Sequence, residues 1–297
     1  VRIVSLLPSA TEIVYALGLD EHLVGVTFEC NEPARARTDH QVVVGGADTS
    51  QLTPAEIDAY VRESLAAGRD LYTLDEGALG ALRPDLILSQ DLCRVCALPT
   101  GQVDAALEHL GCVADVVTLD PYSLREVLDT IHTVGRAAGV PDRAAALVES
   151  LQARLDAVAA AVAGASRPRT AVVEWVDPLF TGGHWIPDQV TAAGGVPVGG
   201  HPHAASGPGS WDELREADPE VVVVAPCGFG LDGAAQQAEV VARELPGAQV
   251  WAIDGDAVVV RPGPRLVDGV EAIASVLHPG AVAPSTLVRR VATPRTP

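Results

Sequence analysis

Short apolar runs of strand length alternate along this chain with stretches whose apolar residues recur every three or four positions. The runs predict strands at residues 4–7, 23–27, 86–89 and 113–119, and the helical spacing predicts helices at 11–17, 54–67 and 101–110. Alternation of this kind builds βα units on a mostly parallel sheet. After Pro121 the pattern changes. Residues 123–138 and 142–163 read as two consecutive helices, broken by Gly139, Val140 and Pro141, with no strand signal between them. The second is rich in Ala, Leu, Glu and Arg, strong helix formers, and would extend roughly 30 Å at about 1.5 Å per residue. The βα alternation then restarts, with strands predicted at 170–176, 220–225, 249–253 and 257–260 and helices at 187–193, 211–217, 233–244 and 264–277.

The predicted fold class is therefore α/β, with two Rossmann-like lobes of mostly parallel sheet joined by a single long backbone helix. Residues 1–121 form the first lobe, 122–166 the linking helices including the long one, and 167–297 the second lobe with a short tail. A cleft between two such lobes is the default place for a ligand. A repeated signature supports two related halves. Leu82, Arg83, Pro84, Asp85, Leu86, Ile87 and Leu88 are answered by Glu216, Ala217, Asp218, Pro219, Glu220, Val221 and Val222: a helix end, a proline turn, then a buried strand.

Composition narrows the partners. At 297 residues, 48% hydrophobic and 20% charged, the chain has ample material for a core and is not chiefly disordered. Its 39 acidic residues against 20 basic ones give a formal net charge of −19, which repels nucleic-acid phosphates and anionic lipid. Lys and Met are absent, a bias that reads as gene composition rather than function. No apolar run reaches the roughly 18 residues that a spanning helix needs. Two readings of Val1 stay open: a secretory leader removed upstream, which implies the cell envelope, or an alternative start codon, which implies the cytoplasm.

The residues Arg2-Ile3-Val4-Ser5-Leu6-Leu7-Pro8-Ser9-Ala10-Thr11-Glu12, then Gly25-Val26, Arg83-Pro84-Asp85-Leu86, Asp177-Pro178-Leu179-Phe180-Thr181-Gly182-Gly183 and Pro264-Arg265 carry a resemblance. Together they resemble the cobalamin-binding solute-binding proteins of ABC importers, in the iron-siderophore and vitamin B12 superfamily whose lobes share a helical backbone. The resemblance covers nearly the whole chain. It implies a noncatalytic protein that captures a corrinoid or related metal chelate between its lobes for ABC-type import, with a small molecule and a permease as partners and no cofactor required. It also implies docking on the permease through acids at the lobe surfaces. Asp212 and Glu213 match in the second lobe; in the first the match falls on Gly77, with Glu76 beside it. The same acids read equally as ordinary first-turn helix carboxylates.

The loops that the resemblance assigns to the ligand carry Phe28, Glu29, Gln90, Asp91, Glu174, Trp175, His184, Trp185 and Phe229. Ser9 joins them: Ser9-Ala10-Thr11-Glu12 reads as a capping box, and a helix N-terminus favours a polar or anionic ligand group. Where the better-known cobalamin binders place aromatic rings, this chain has Glu29, Gln90 and Ser206, and its aromatic content is only 4%. Trp175 and Trp185 suit stacking on a flat ligand or packing in the core. His184 suits a metal through its neutral imidazole, or a local hydrogen bond; His201 and His203, in a Gly- and Pro-rich loop, are expected to face solvent.

The five cysteines do not suit a secreted disulfide framework. Cys30, the Cys93 and Cys96 pair, and Cys227 each follow a predicted strand, and the carboxyl ends of parallel strands face the ligand crevice. Four convergent thiols would suit zinc or an iron-sulfur cluster, with His184 as an extension. This sets an alternative: a metalloprotein using Cys30, Cys93, Cys96 and Cys227 for cofactor handling or catalysis. Loop thiols or a redox pair are the plainer reading, and Cys112 is left on a helix end. Finally, Gly228-Phe229-Gly230-Leu231-Asp232-Gly233 with Asp254 mimics a dinucleotide fingerprint, but too little sheet follows it for a dinucleotide domain.

Overall fold

The computed structural model describes residues 1–49, 52–92, 100–110 and 113–291. The chain divides into two compact units, Val1–Pro121 with Leu128–Glu149, and Tyr122–Val127 with Ser150–Pro297. The first contains β1 (Ile3–Ser5), α1 (Pro8–Ala16), β2 (Leu23–Thr27), α2 (Ala36–Asp39), β3 (Gln41–Gly46), α3 (Pro54–Ala66), β4 (Tyr72–Leu74), α4 (Glu76–Leu82), β5 (Leu86–Ser89), α5 (Thr100–Leu110) and β6 (Asp115–Thr118). Next come α6 (Leu124–Ala137) and the long α7 (Pro141–Ala161), which is divided between the units after Glu149. The second unit continues with β7 (Arg169–Val176), β8 (Leu179–Thr181), β9 (Gly183–His184), α8 (Ile186–Ala192), β10 (Val196–Pro197), β11 (His201–Pro202), β12 (Gly207–Pro208) and α9 (Trp211–Glu216). It ends with β13 (Val221–Val224), α10 (Leu231–Glu244), β14 (Gln249–Ile253), α11 (Gly255–Val258), α12 (Leu266–Leu277) and β15 (Val288–Arg290).

The first sheet runs β4-β3-β2-β1-β5-β6, parallel throughout except for the edge pair β3 and β4. The second runs β12-β8-β7-β13-β14-β15, with β10 also on β7; β7, β13 and β14 are parallel, and β8 and β15 are antiparallel. Strands β5 and β13 are buried along their whole length, as their uninterrupted apolar runs require for a sheet covered on both faces. Val4, Val43, Val44, Leu79, Ile87 and Val103 pack together in the first core, and Ala171, Val173, Val222, Val224, Ala238 and Val241 in the second.

The repeated signature proves to be the same structure in both units. Arg83 and Asp218, each directly before the proline, take left-handed backbone with φ of 45° and 47°. That conformation ends the helix and turns the chain into the next strand, while the proline bars the right-handed helical alternative. The acid after the proline then locks the neighbouring strand: the Arg2 backbone N–H donates to Asp85 Oδ2 at 2.7 Å, and the Arg169 backbone N–H to Glu220 Oε2 at 2.9 Å. The arginine side chains close the turn, Arg2 Nε donating to Leu82 O at 2.8 Å and Arg169 Nε to Asp218 O at 2.7 Å. The strand register that follows is equivalent, Ile3 opposite Leu86 and Thr170 opposite Val221.

Two expectations are corrected. The capping box at Ser9 and Glu12 does not form: α1 starts at Pro8, its N-cap Leu7 has extended backbone and no side-chain cap, and both Ser9 and Glu12 are buried inside the helix. Proline opens the helix because its φ is already helical and its missing N–H is one of the first-turn donors left without an intrahelical acceptor; Ser9 then lies inside the helix, past the position from which a side chain caps. Of residues 257–260, expected as a strand, 257 and 258 instead end α11 and the other two form the turn after it; the start of α11 is capped by the Asp254 side chain accepting from Ala257 N at 3.1 Å. The sheet edge beside β14 is taken by β15. Removing either locking carboxylate, Asp85→Ala or Glu220→Ala, should lower stability by about 1 kcal/mol, the usual net worth of such a hydrogen bond. Urea denaturation checks this, and a midpoint unchanged in both variants would contradict it.

Candidate functional site

In the first unit the carboxyl edge of the sheet gathers Phe28, Glu29 and Tyr72. The Phe28 ring lies 6.1 Å from Tyr72 between centroids, tilted 47°, and Tyr72 Oη donates to Glu29 Oε1 at 3.4 Å. Gly46 makes room for this ring, since a Cβ there would sit 2.6 Å from Phe28 Cζ. Tyr72 carries no signal in the sequence because β4 is only three residues long and lies at the sheet edge. Gln90 is buried, and Asp91 accepts from Thr100 N at 2.8 Å to start α5. Asp120, also missed, braces that loop by accepting from Asp91 N and Leu92 N at 2.7 and 2.9 Å.

The cysteine expectation changes. Cys30 has no exposed surface, and its Sγ accepts from Thr11 Oγ1 at 3.0 Å beneath α1. It therefore belongs to the packing of the first unit instead of projecting from an open loop. Cys227 is exposed in the turn after β13, while Cys93, Cys96 and Cys112 lie outside the described residues. Among the described residues, no group of three or more His, Cys, Asp or Glu side chains is placed to hold a metal ion.

The second unit presents two patches beside β7, the first of them at the carboxyl end of its sheet. One is a ring pair: Trp175, near the end of β7, and Phe229, after β13, lie 5.6 Å apart at 60°. Trp175 Nε1 donates to Asp177 O at 3.1 Å, which fixes the indole. The other patch is polar. Glu174 Oε1 accepts from Ser206 Oγ at 2.8 Å and from Gly183 N at 3.3 Å, and Gly183 N also donates to Ser206 Oγ at 3.0 Å. His184, next along the chain, has φ of 49° and stands between the rings of Tyr122 and Trp185, each 5.4 Å away. Its Nε2 is buried without a hydrogen-bond partner, and burial holds its pKa below the ordinary imidazole value. Tyr122, 40% exposed, carries no sequence signal because it stands in the short connection before α6.

Trp185, expected to face the ligand, is a core residue. Only 4% of it is exposed, and its Nε1 donates to Val259 O at 2.8 Å. His203 faces solvent beside Asp188, its Nε2 3.0 Å from Oδ1, while His201 is partly buried. Asp254 spends its carboxylate on the α11 cap, which accounts for the acid of the dinucleotide mimic. Of the docking candidates, Glu76 is exposed in the first turn of α4. Asp212, 89% exposed at its side chain, lies 2.6 Å from Arg215. Glu213 is engaged in a capping box with Ser210, whose hydroxyl and N–H hold its carboxyl below the ordinary range.

The profile of a family described as periplasmic binding protein matches residues 3–250. The chain belongs to that family. An uncharacterized ABC transporter substrate-binding lipoprotein of Bacillus subtilis, YvrC, is 24% identical over 293 residues, covering 94% of this chain and 80% of that protein. A vitamin B12-binding protein of Vibrio cholerae is 25% identical over 283 residues, covering 93% and 88%. Among solved structures, a periplasmic heme binding protein from Pseudomonas aeruginosa superposes with a TM-score of 0.69 at 23% identity, covering 98% of both chains. The periplasmic vitamin B12 binding protein of Vibrio cholerae superposes with 0.63 at 22% identity, covering 93% of this chain and 96% of that one. These likenesses confirm the two-lobe α/β fold. The chain is a noncatalytic solute-binding protein of the ABC-importer type, taking a small-molecule ligand. Among the described residues no helix is long and apolar enough to cross a membrane.

The lowered pKa of His184 has a defined consequence for stability. The unfolded imidazole binds its proton near its ordinary value of 6.5, whereas the folded one resists protonation. Stability is therefore complete above that value and falls as pH drops through it toward the folded pKa. His40, also held low by burial, adds to the same loss. The urea midpoint should fall between pH 7.5 and pH 5, and His184→Asn, which tolerates left-handed backbone, should flatten the slope. Equal slopes in both proteins would contradict this.

Proposed function

We propose that the chain captures a corrinoid, or a closely related flat metal chelate, for import through an ABC permease outside the cytoplasm. The observation that carries this is the Trp175 and Phe229 ring pair at the carboxyl ends of neighbouring parallel strands. The chain has only four Trp, four Tyr and three Phe. Phe28 and Tyr72 gather at the carboxyl edge of one sheet, and Trp175 and Phe229 at that of the other, all four partly exposed. Ring faces of this kind stack on a flat ligand and are worth about 0.5–1.5 kcal/mol each beyond the area they bury. The curated relatives with vitamin B12 in their names support the same class.

Titration of the purified chain with cyanocobalamin and with diaquocobinamide, followed by tryptophan fluorescence, tests this. Saturable quenching is expected, and Trp175→Ala should weaken binding by about tenfold, the scale of a lost stacking anchor. No binding of either corrinoid would overturn the reading, and binding of hemin alone would move the ligand to the porphyrins.

We assign permease docking to Asp212, and on the first unit to Glu76, which are exposed at the starts of equivalent helices. Glu213 is the weaker candidate, because Ser210 already holds its carboxylate. Asp212→Arg should abolish corrinoid uptake in a reconstituted importer while leaving ligand affinity unchanged. Uptake at the wild-type rate would remove Asp212 from the docking surface.

A further inference from the structure

His184 carries two local penalties at once. A side-chain-bearing residue in left-handed backbone is strained, and a buried polar atom without a partner has given up its hydrogen bonds to water for nothing in return. Such costs persist only where the surroundings over-determine the conformation, and they gather at binding sites. The surroundings here are specific. His184 N donates to Ala204 O at 2.6 Å, and His184 O accepts from His203 N at 3.1 Å, so the residue is held from both sides by the 203–204 segment. That segment can approach only because residue 183 is glycine: a Cβ would lie 2.3 Å from Ser206 N and 2.6 Å from Ala204 O. The Gly183 N–H ends on Glu174 Oε1 and Ser206 Oγ, and Ser206 in turn donates to Glu174. The imidazole itself is flanked by the partly exposed Tyr122 ring and by Trp185, which Val259 anchors.

We propose that Glu174 and Ser206 are positioning residues, whose joint hold on the Gly183 N–H sets the His184 ring in its place beside Trp185, at the partly exposed Tyr122 edge of the second unit. This rests on reading that edge as the ligand surface. Glu174 thus acts through Ser206 and Gly183, and the specificity it confers is the fixed direction of one imidazole. Losing either side chain leaves the Gly183 N–H with one acceptor fewer and frees the 204–206 segment to withdraw. His184 can then relax to ordinary backbone and leave its place between the rings.

The test compares Glu174→Ala and Ser206→Ala with the conservative Glu174→Gln, which keeps an oxygen acceptor. Histidine-labelled protein without ligand is followed by NMR, with His184→Asn assigning the resonance. In both alanine variants the His184 ring signals should move to those of a solvent-exposed histidine, while Glu174→Gln should keep the wild-type positions. Affinity for diaquocobinamide should fall by roughly tenfold in the alanine variants, the scale on which supporting hydrogen bonds matter to the groups they orient. If Glu174→Ala does not fold, Ser206→Ala, which removes a single oxygen, decides the question. Unchanged His184 signals in Ser206→Ala would overturn the proposal. A wild-type protein that binds no corrinoid would overturn the ligand reading instead, and the ligand-free spectra would still decide the positioning role.

Discussion

Each sheet of this protein is built outward from one pair of parallel strands, and each pair is fixed at its amino end by the same lock. A carboxylate directly after a proline turn, Asp85 or Glu220, accepts the backbone N–H of the arginine that opens the neighbouring strand. The same residue continues the ladder to the third strand: Asp115 N donates to Asp85 O at 2.9 Å, and Gln249 N to Glu220 O at 2.9 Å. A one-residue slip in a parallel sheet would send every side chain to the opposite face. The lock therefore fixes which face of the sheet each residue of β5 and β13 packs on and which groups emerge at the other end.

What emerges is the carboxyl edge, where open α/β sheets take their ligands. In the second unit strand alternation splits that edge. Trp175 meets Phe229 on the way into α10, while its neighbour Glu174 reaches the Gly183 and Ser206 cluster. An apolar ring pair and a rigid polar cluster thus lie close in sequence without competing for one face. In the first unit the edge strand β4 runs back along β3, so its first residue, Tyr72, returns to the end of the sheet where Phe28 stands. A chain with few aromatic residues thus pairs two of them at the carboxyl edge of each sheet.

Much of this was legible in the sequence, because the strongest signals were local and repeated. The Leu82 to Leu88 and Glu216 to Val222 segments disclosed a duplicated unit, and the apolar runs 86–89 and 249–253 match the strands residue for residue. Long-range packing was not legible. Trp185 resembles a loop aromatic until Val259 is seen to hold its indole, and Cys30 resembles a loop thiol until α1 is seen to cover it. Tyr72 lies in a strand too short to show a period, and Tyr122 in a connection that has none. The run at 257–260 has strand-forming valines, but an aspartate cap one turn earlier and an edge already taken by β15 decide against a strand. Ser9 failed for a similar reason: Pro8 had already started the helix.

The account stands on one claim, that this binding protein takes a flat corrinoid-type chelate. Native mass spectrometry of the chain mixed with equal amounts of cyanocobalamin, diaquocobinamide, hemin and a ferric hydroxamate tests it most directly. The account predicts one corrinoid bound per chain. A chain that stays free of corrinoid in that mixture, whether empty or loaded with hemin or the hydroxamate, would contradict it.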